Sequence, residues 1–306
     1  MLGRLGTIGL VSTALLAAPS AAAAGPVHPG TAHPGTAHPE PVRPGSVLAK
    51  TVEGVLGGHA AVDFTGIVAL DNCSGSLVRG PRSRDGDPAL VLTNGHCLDS
   101  GTPAAGEVIV DRPVARTFTL LDRSGRGDLG TLRATGLEYA TMTGTDVAVY
   151  RLGASYAEVE RRYGVPALRL SAERPRDGAR IHVVSGYWRR TYSCAIDTTV
   201  YRLREAEWTW RDSIRYTSGC RTIGGTSGSP VIDARTGRVV AVNNTANEDG
   251  GRCLLDNPCE VGRDGRITVR RGASYAQQTY ELARCLGARS DVVVGGDCAL
   301  PEPAGT

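Results

Sequence analysis

The chain has 306 residues, a formal net charge of +3 and 41% hydrophobic residues, which suits one two-lobed or two small globular domains. So small a charge surplus on this length argues against a nucleic-acid partner. No stretch beyond the first two dozen residues approaches the about 18 consecutive apolar residues of a membrane-spanning helix.

Residues 1–24 read as an export signal: Arg4 supplies the positive start, Ile8 to Ala18 the apolar core, and Ala22-Ala23-Ala24 a small-residue cleavage site. The apolar run is short for a bilayer span, so the expectation is a secreted, extracellular protein with no stable membrane association. Residues 25–45 repeat His-Pro-Gly-Thr-Ala around His28, His33 and His38. That composition cannot bury a core and predicts a disordered linker or propeptide. Ordering it around a metal would cost too much chain entropy for those histidines to form a site.

Residues 46–165 read as a first lobe of short strands. The candidates are 62–70, 73–78, 89–93, 107–110, 117–121 and 147–152, with turn-rich connections at 81–88 and 100–106, a pattern favouring a small antiparallel barrel. Residues 154–164 predict a helix, with Ser155 and Glu158 as a capping box and Gly164 as its stop. Residues 166–306 read as a second lobe, with strands expected at 167–170, 180–185, 193–203, 214–217, 230–233, 238–242 and 266–269. Trp188, Trp208 and Trp210 are assigned to its core by default. Residues 273–286 predict a terminal helix with Ser274 as N-cap and Gly287 as stop, followed by a strap from Arg289.

Eight cysteines, an even number, fit four disulfides in an oxidising compartment. A working pairing is Cys73–Cys97, Cys194–Cys220, Cys253–Cys259 and Cys285–Cys298, although spacing alone leaves the connectivity open. No C-x-x-C pair occurs, so neither a metal site nor a cofactor is expected.

The chemistry concentrates at Gly224-Gly225-Thr226-Ser227-Gly228-Ser229-Pro230. Glycines on both sides of Ser227 permit a sharp turn that exposes its hydroxyl and aims the amides of Gly225 and Ser227 at one point. Such a donor pair forms an oxyanion hole, needed where negative charge develops in acyl transfer. A serine hydroxyl is a weak nucleophile without a base. Outside the N-terminal repeat, the histidines are His59, His96 and His182, and none follows Ser227. The α/β-hydrolase order of serine, acid, histidine is thereby excluded. His96, in Leu92-Thr93-Asn94-Gly95-His96-Cys97, is the best-placed base.

The blocks Thr93-Asn94-Gly95-His96-Cys97, Thr145-Asp146-Val147-Ala148-Val149 and the one around Ser227 stand in the order histidine, aspartate, serine. They resemble the three active-site blocks of the chymotrypsin-like serine proteases, over roughly residues 46 to 272. The resemblance implies an all-β fold of two six-stranded antiparallel barrels with a C-terminal helix. It also implies a triad in which Ser227 attacks, His96 takes its proton and Asp146 orients the imidazole. Cys73-Ser74-Gly75-Ser76-Leu77 is similar to the family's block facing the histidine loop, and so implies the Cys73–Cys97 bond. Gly-Thr-Ser-Gly-Ser-Pro is more similar to the glutamyl-endopeptidase branch, and Thr222 matches a specificity-pocket position there. That branch's pocket histidine is not matched, since Asn243-Asn244 stands after the preceding strand. Arg221, at the pocket base by analogy, would favour acidic side chains by charge pairing. Thr226 stands where digestive relatives carry the aspartate that receives a newly cut N-terminus.

The implied function is a secreted serine endopeptidase acting on protein or peptide substrates as a monomer, without nucleic acid. Two alternatives are weighed beside it. One is a catalytically inactive protease-fold binding module. The other is a subtilisin-like hydrolase using Asp63 or Asp71 as its acid, which requires a helix after Ser227.

Overall fold

The computed structural model describes residues 62–304, all inside the unit Leu56–Thr306. The expected export signal, the histidine-proline repeat and His59 lie outside the described residues.

Alternation of side chains along each strand builds two closed barrels and the seam between them. The first barrel uses β1 (Ile67–Ala69), β2 (Ser74–Arg79), β3 (Pro88–Thr93), β5 (Thr117–Leu121), β6 (Asp128–Thr141) and β7 (Val147–Ser155). They pair in the antiparallel order β1-β5-β6-β7-β3-β2, and β1 pairing with β2 closes the ring. β4 (Val108–Pro113) adds to β6, and β8 (Leu168–Arg169) runs parallel to β2. The second barrel uses β9 (Arg180–Ser185), β10 (Arg190–Glu205), β11 (Trp208–Tyr216), β12 (Pro230–Asp233), β13 (Val239–Ala246) and β16 (Ser274–Gln278). Its order is β11-β16-β13-β12-β9-β10, closed by β10 pairing with β11. β14 (Cys259–Val261) and β15 (Ile267–Val269) extend it from β10.

Successive residues of a strand face opposite sides of a sheet, and the cores follow that rule. In β3, Ala89 and Val91 point into the first barrel, while Leu90 and Leu92 join a second cluster. In β12, Val231 faces the second barrel's interior and Ile232 joins the same cluster as Leu90. That shared cluster also takes in Tyr139, Val149, Val184 and Val242, so it is the apolar seam between lobes. Burying a Leu or Val side chain contributes about 1.5–3 kcal/mol, so the seam holds the lobes in fixed register.

Helix α1 (Tyr156–Tyr163) carries the expected capping box: Ser155 Oγ accepts from Glu158 N at 3.3 Å, and Glu158 Oε2 accepts from Ser155 N at 2.8 Å. Gly164 ends it in the left-handed conformation, φ +68°. Such a cap contributes about 1 kcal/mol. The region read as one helix over 273–286 is instead strand β16 followed by the short helix α2 (Tyr280–Cys285). Ser274 caps nothing; its hydroxyl accepts from Thr222 N at 3.0 Å. Residues 274–277 are all buried because β16 is flanked by β13 on one side and β11 on the other. Gly287 is not the stop, since Leu286 already leaves the helix in extended conformation.

Strands β6 and β14 were not expected from the sequence. β6 carries Gly130 and Gly136 and shifts register against β7 at two points, so its alternation is broken where a strand signal was sought. The cysteines form four disulfides, Cys73–Cys97, Cys194–Cys220, Cys253–Cys259 and Cys285–Cys298, a content that suits an oxidising compartment. The last one ties the C-terminal tail to α2. Leu300 then enters the seam, and Tyr139 Oη donates to Pro301 O at 3.0 Å.

Candidate active site

His96 lies in a 3-10 turn, Gly95–Cys97, that leaves the end of β3. Three contacts fix that turn. The Cys73–Cys97 disulfide ties it to the start of β2. The buried guanidinium of Arg116 donates to Cys97 O at 2.6 Å and to Tyr150 Oη at 2.9 Å. Asp146, wholly buried at the head of β7, supplies the third.

The Asp146 carboxylate is divided between backbone and ring. Oδ1 accepts from Gly95 N at 2.6 Å and His96 N at 3.2 Å, while Oδ2 lies 2.6 Å from His96 Nδ1. A carboxylate at Nδ1 fixes the proton there and leaves Nε2 as the free basic nitrogen. Burial of the ring opposes its protonation, but the charge and hydrogen bond of Asp146 outweigh it, aided by Glu205 and Asp256. The imidazole pKa is therefore raised above its ordinary value.

Ser227 reaches the same place from the second lobe, on the turn before β12. Ser74 N donates to Ser227 O at 2.7 Å, Asn94 Oδ1 accepts from Gly228 N at 2.5 Å, and Asn94 Nδ2 donates to Asp146 O at 2.8 Å. Gly228 has φ +80°, and a Cβ there would sit 2.0 Å from Ser74 O and 2.2 Å from Thr93 Oγ1. The residue after Ser227 therefore has to be glycine, since the lobes meet backbone to backbone at this point. Gly225, at φ +82°, turns the chain before Ser227, and its carbonyl accepts from Ser74 Oγ at 3.0 Å. Among the described residues, neither Gly225 N nor Ser227 N donates to a protein acceptor.

A cavity of about 170 Å³ brings His96, Ser227, Thr222, Asn243 and Asn244 together. Among the described residues, the Ser227 hydroxyl hydrogen-bonds to Asn244 O, at 3.0 Å, and not to His96. Arg221 is absent from that wall; it is exposed and borders an adjoining cavity with Glu248 and Asp256. The sequence-based placement of an arginine at the pocket base is not what the structure has: Thr222 turns inward and its neighbour faces solvent. Asn244 is 2% exposed with neither side-chain polar atom hydrogen-bonded. Asn243 Oδ1 accepts from Tyr216 Oη at 3.2 Å.

The acids of the subtilisin-like alternative are elsewhere. Asp63 pairs with Arg123, Asp71 with Arg116, and Ser227 is followed by a strand. Trp188 is not a core residue either; it is 47% exposed, and Nε1 donates to Gly224 O at 2.7 Å. Trp210 is in the core as expected, 1% exposed, with the partly buried Trp208 packed against the same cluster, and both reach the cavity wall.

Sequence reasoning passed over three further residues. Asn94 carries no signal beyond its place beside His96, yet it bridges both lobes. Arg116 has no sequence signal beyond its charge within a strand-rich lobe. Glu205, at the end of β10, lines the cavity while being only 4% exposed. Burial pushes its carboxyl up to about 7, against the pull of the Thr245 hydroxyl, the Asp256 amide and His96.

Comparison with known proteins gives one family, the trypsin-like peptidase domain, matching residues 73–242. Among curated proteins, none matches the chain. Similar solved structures include the MamO protease domain from Magnetospirillum magneticum, at 11% identity and TM-score 0.46, covering 74% of this chain and 98% of that one. The Rv3671c protease from M. tuberculosis, active form, is similar at 18% identity and TM-score 0.43, over 80% and 86% of the two chains. The serine endoprotease from Yersinia pestis is similar at 12% identity and TM-score 0.42, over 73% and 62%.

Proposed function

Since the chain belongs to the trypsin-like peptidase domain family, matched over more than half of its length, we propose that it is a secreted serine endopeptidase working through Ser227, His96 and Asp146. The observation that carries this reading is the buried Asp146 carboxylate 2.6 Å from His96 Nδ1, with the imidazole and Ser227 on one cavity. His96 Nε2 would take the Ser227 proton as Oγ attacks the scissile carbonyl carbon. The carbonyl electrons move onto oxygen, where the amides of Gly225 and Ser227 are the available donors. Collapse expels the amine, which takes the proton from His96, and water then hydrolyses the acyl-serine by the same path.

Attack requires the Ser227 hydroxyl to leave Asn244 O and turn to the imidazole. That resting hydrogen bond is the observation favouring the second reading, a protease-fold binding module without catalysis. The two separate in one experiment. The secreted chain should react with a fluorophosphonate probe and cleave denatured casein, and Ser227→Ala should do neither while melting at the same temperature. A wild-type chain that is folded yet unreactive would establish the binding module instead. Secretion itself is supported by the first 24 residues and the four disulfides. Mass spectrometry of the exported chain would locate the cleavage.

A further inference from the structure

The cavity beside Ser227 is acidic, and its deepest acid is unspent. Among the described residues, three carboxylates line it, Glu205, Glu248 and Asp256, and no lysine or arginine does. Glu248 and Asp256 are exposed at the rim, with Glu248 N donating to Asp256 O at 3.1 Å. Glu205 is the buried one. Its Oε1 accepts from Asp256 N at 2.9 Å, whereas Oε2 is buried without a hydrogen bond of proper geometry, the nearby Thr245 hydroxyl included. An orphaned carboxylate oxygen costs more than an ordinary unmade hydrogen bond, so a bound donor would recover that energy.

The walls suit a cation with a long stem. Trp208 and Trp210 both line the cavity and spend their N–H groups elsewhere, on Pro103 O at 3.0 Å and Met142 O at 2.9 Å. Trp210 is buried in the core behind the wall, so the half-buried Trp208 is the ring that a cation, which aromatic rings attract, could meet. Leu255, exposed on the loop closed by Cys253–Cys259, gives an apolar edge for a methylene stem. Among the described residues that line this cavity, the one cationic group is the His96 imidazole, which must be neutral to act as a base, while Arg221 faces the adjoining cavity.

We infer that Glu205, backed by Glu248 and Asp256, selects substrates carrying an arginine or lysine side chain in the cavity next to the scissile bond. This rests on the reading of Ser227 and His96 above, and it reverses the preference for acidic side chains that Arg221 would have implied. The acid concerned stands on the β10–β11 hairpin, away from the turn that carries Ser227.

The test compares arginine with citrulline, its neutral isostere, scanned through each position of one peptide series. The full exported chain should cleave the arginine peptide at least about tenfold better at one position, the scale of a charge-assisted hydrogen bond. Glu205→Gln should bring that ratio near one, and Glu205→Asp should keep part of it, with circular dichroism confirming that each variant is folded. The same peptides are titrated calorimetrically onto Ser227→Ala, where arginine should again bind more tightly than citrulline. No discrimination at any position by the wild-type chain, or full discrimination retained in folded Glu205→Gln, overturns the inference. Fluorophosphonate labelling reports on Ser227 alone. A labelled enzyme indifferent to charge sinks the inference and leaves the endopeptidase standing. An unlabelled protein that still prefers the arginine peptide does the reverse.

Discussion

Asn94→Ala tests whether the site is held together across the seam, without touching any group that reacts. Asn94 is fully buried, and its amide spans from Asp146 O at 2.8 Å to Gly228 N at 2.5 Å. Each such bond contributes about 1 kcal/mol net, and leaving a buried carbonyl unpaired costs about 1–3 kcal/mol more. Gly228 N keeps Asn243 O at 3.0 Å, so only the Asp146 carbonyl is orphaned. The total is about 3–5 kcal/mol, a sizeable part of the about 5–15 kcal/mol that holds a native protein together. At about 2–4 °C per kcal/mol for a chain of this size, the melting temperature should fall by about 6–20 °C. Turnover should fall by about a hundredfold, because an ångström of misplacement between base and nucleophile costs that much. Urea unfolding followed by tryptophan fluorescence, together with steady-state kinetics, reads both quantities. The kinetic loss should lie in kcat rather than KM, since the cavity walls are unchanged. A variant that loses less than about 0.5 kcal/mol and keeps its kcat would refute the idea that this amide aligns the two lobes.

Asp146→Asn should leave the chain folded and slow turnover by about four powers of ten, measured as kcat in the peptide assay. The same substitution bears on pH. Asp146 raises the His96 pKa, so the acidic limb of kcat/KM should lie above 6.5, and the histidine-linked stability should be present at low pH and fade as pH rises through that raised pKa. In Asp146→Asn, the stability difference between pH 5 and pH 8 due to His96 should shrink, as read from urea midpoints. Gly228→Ala should fail to accumulate as folded protein, because the added carbon meets Ser74 O at 2.0 Å in a left-handed backbone; near-native melting by circular dichroism would contradict this.

Residues whose chemistry is local were legible in the sequence. Ser155, Glu158 and Gly164 announce a helix start and stop by short-range rules, and the structure has that cap. The three blocks around His96, Asp146 and Ser227 carry their signal within five or six residues each, so their order could be read without coordinates. What depends on distant pairing was not legible. β6 shows no strand signal in the sequence because its glycines interrupt the alternation, although it lies between β5 and β7 and the first ring cannot close without it. β16 has apolar and small residues at helical spacing, and only its place between β11 and β13 makes it a strand. Arg221 failed for a related reason. Its distance from Ser227 along the chain was right for a pocket base, but Thr222 takes the inward position and the arginine faces solvent. Glu205 gave no signal, since nothing near it in sequence says that a strand end arrives beside a histidine more than a hundred residues earlier.

The seam explains why the site and the fold's stability cannot be separated. Each strand beside it spends alternate side chains on a barrel interior and on the shared cluster, so both lobes present an apolar wall at fixed register. The lobes then meet at the rim of that wall: Ser74 N reaches Ser227 O, and Ser74 Oγ donates to Gly225 O at 3.0 Å. Ser74 Oγ also lies 3.0 Å from Ser185 Oγ and accepts from Tyr187 N at 3.1 Å. One serine of the first lobe thus fixes both the carbonyl of Ser227 and the segment after β9. Any change that slides the lobes by an ångström breaks these bonds together, while each barrel's own ladder stays intact. The position of Ser227 is therefore set by lobe docking more than by either barrel.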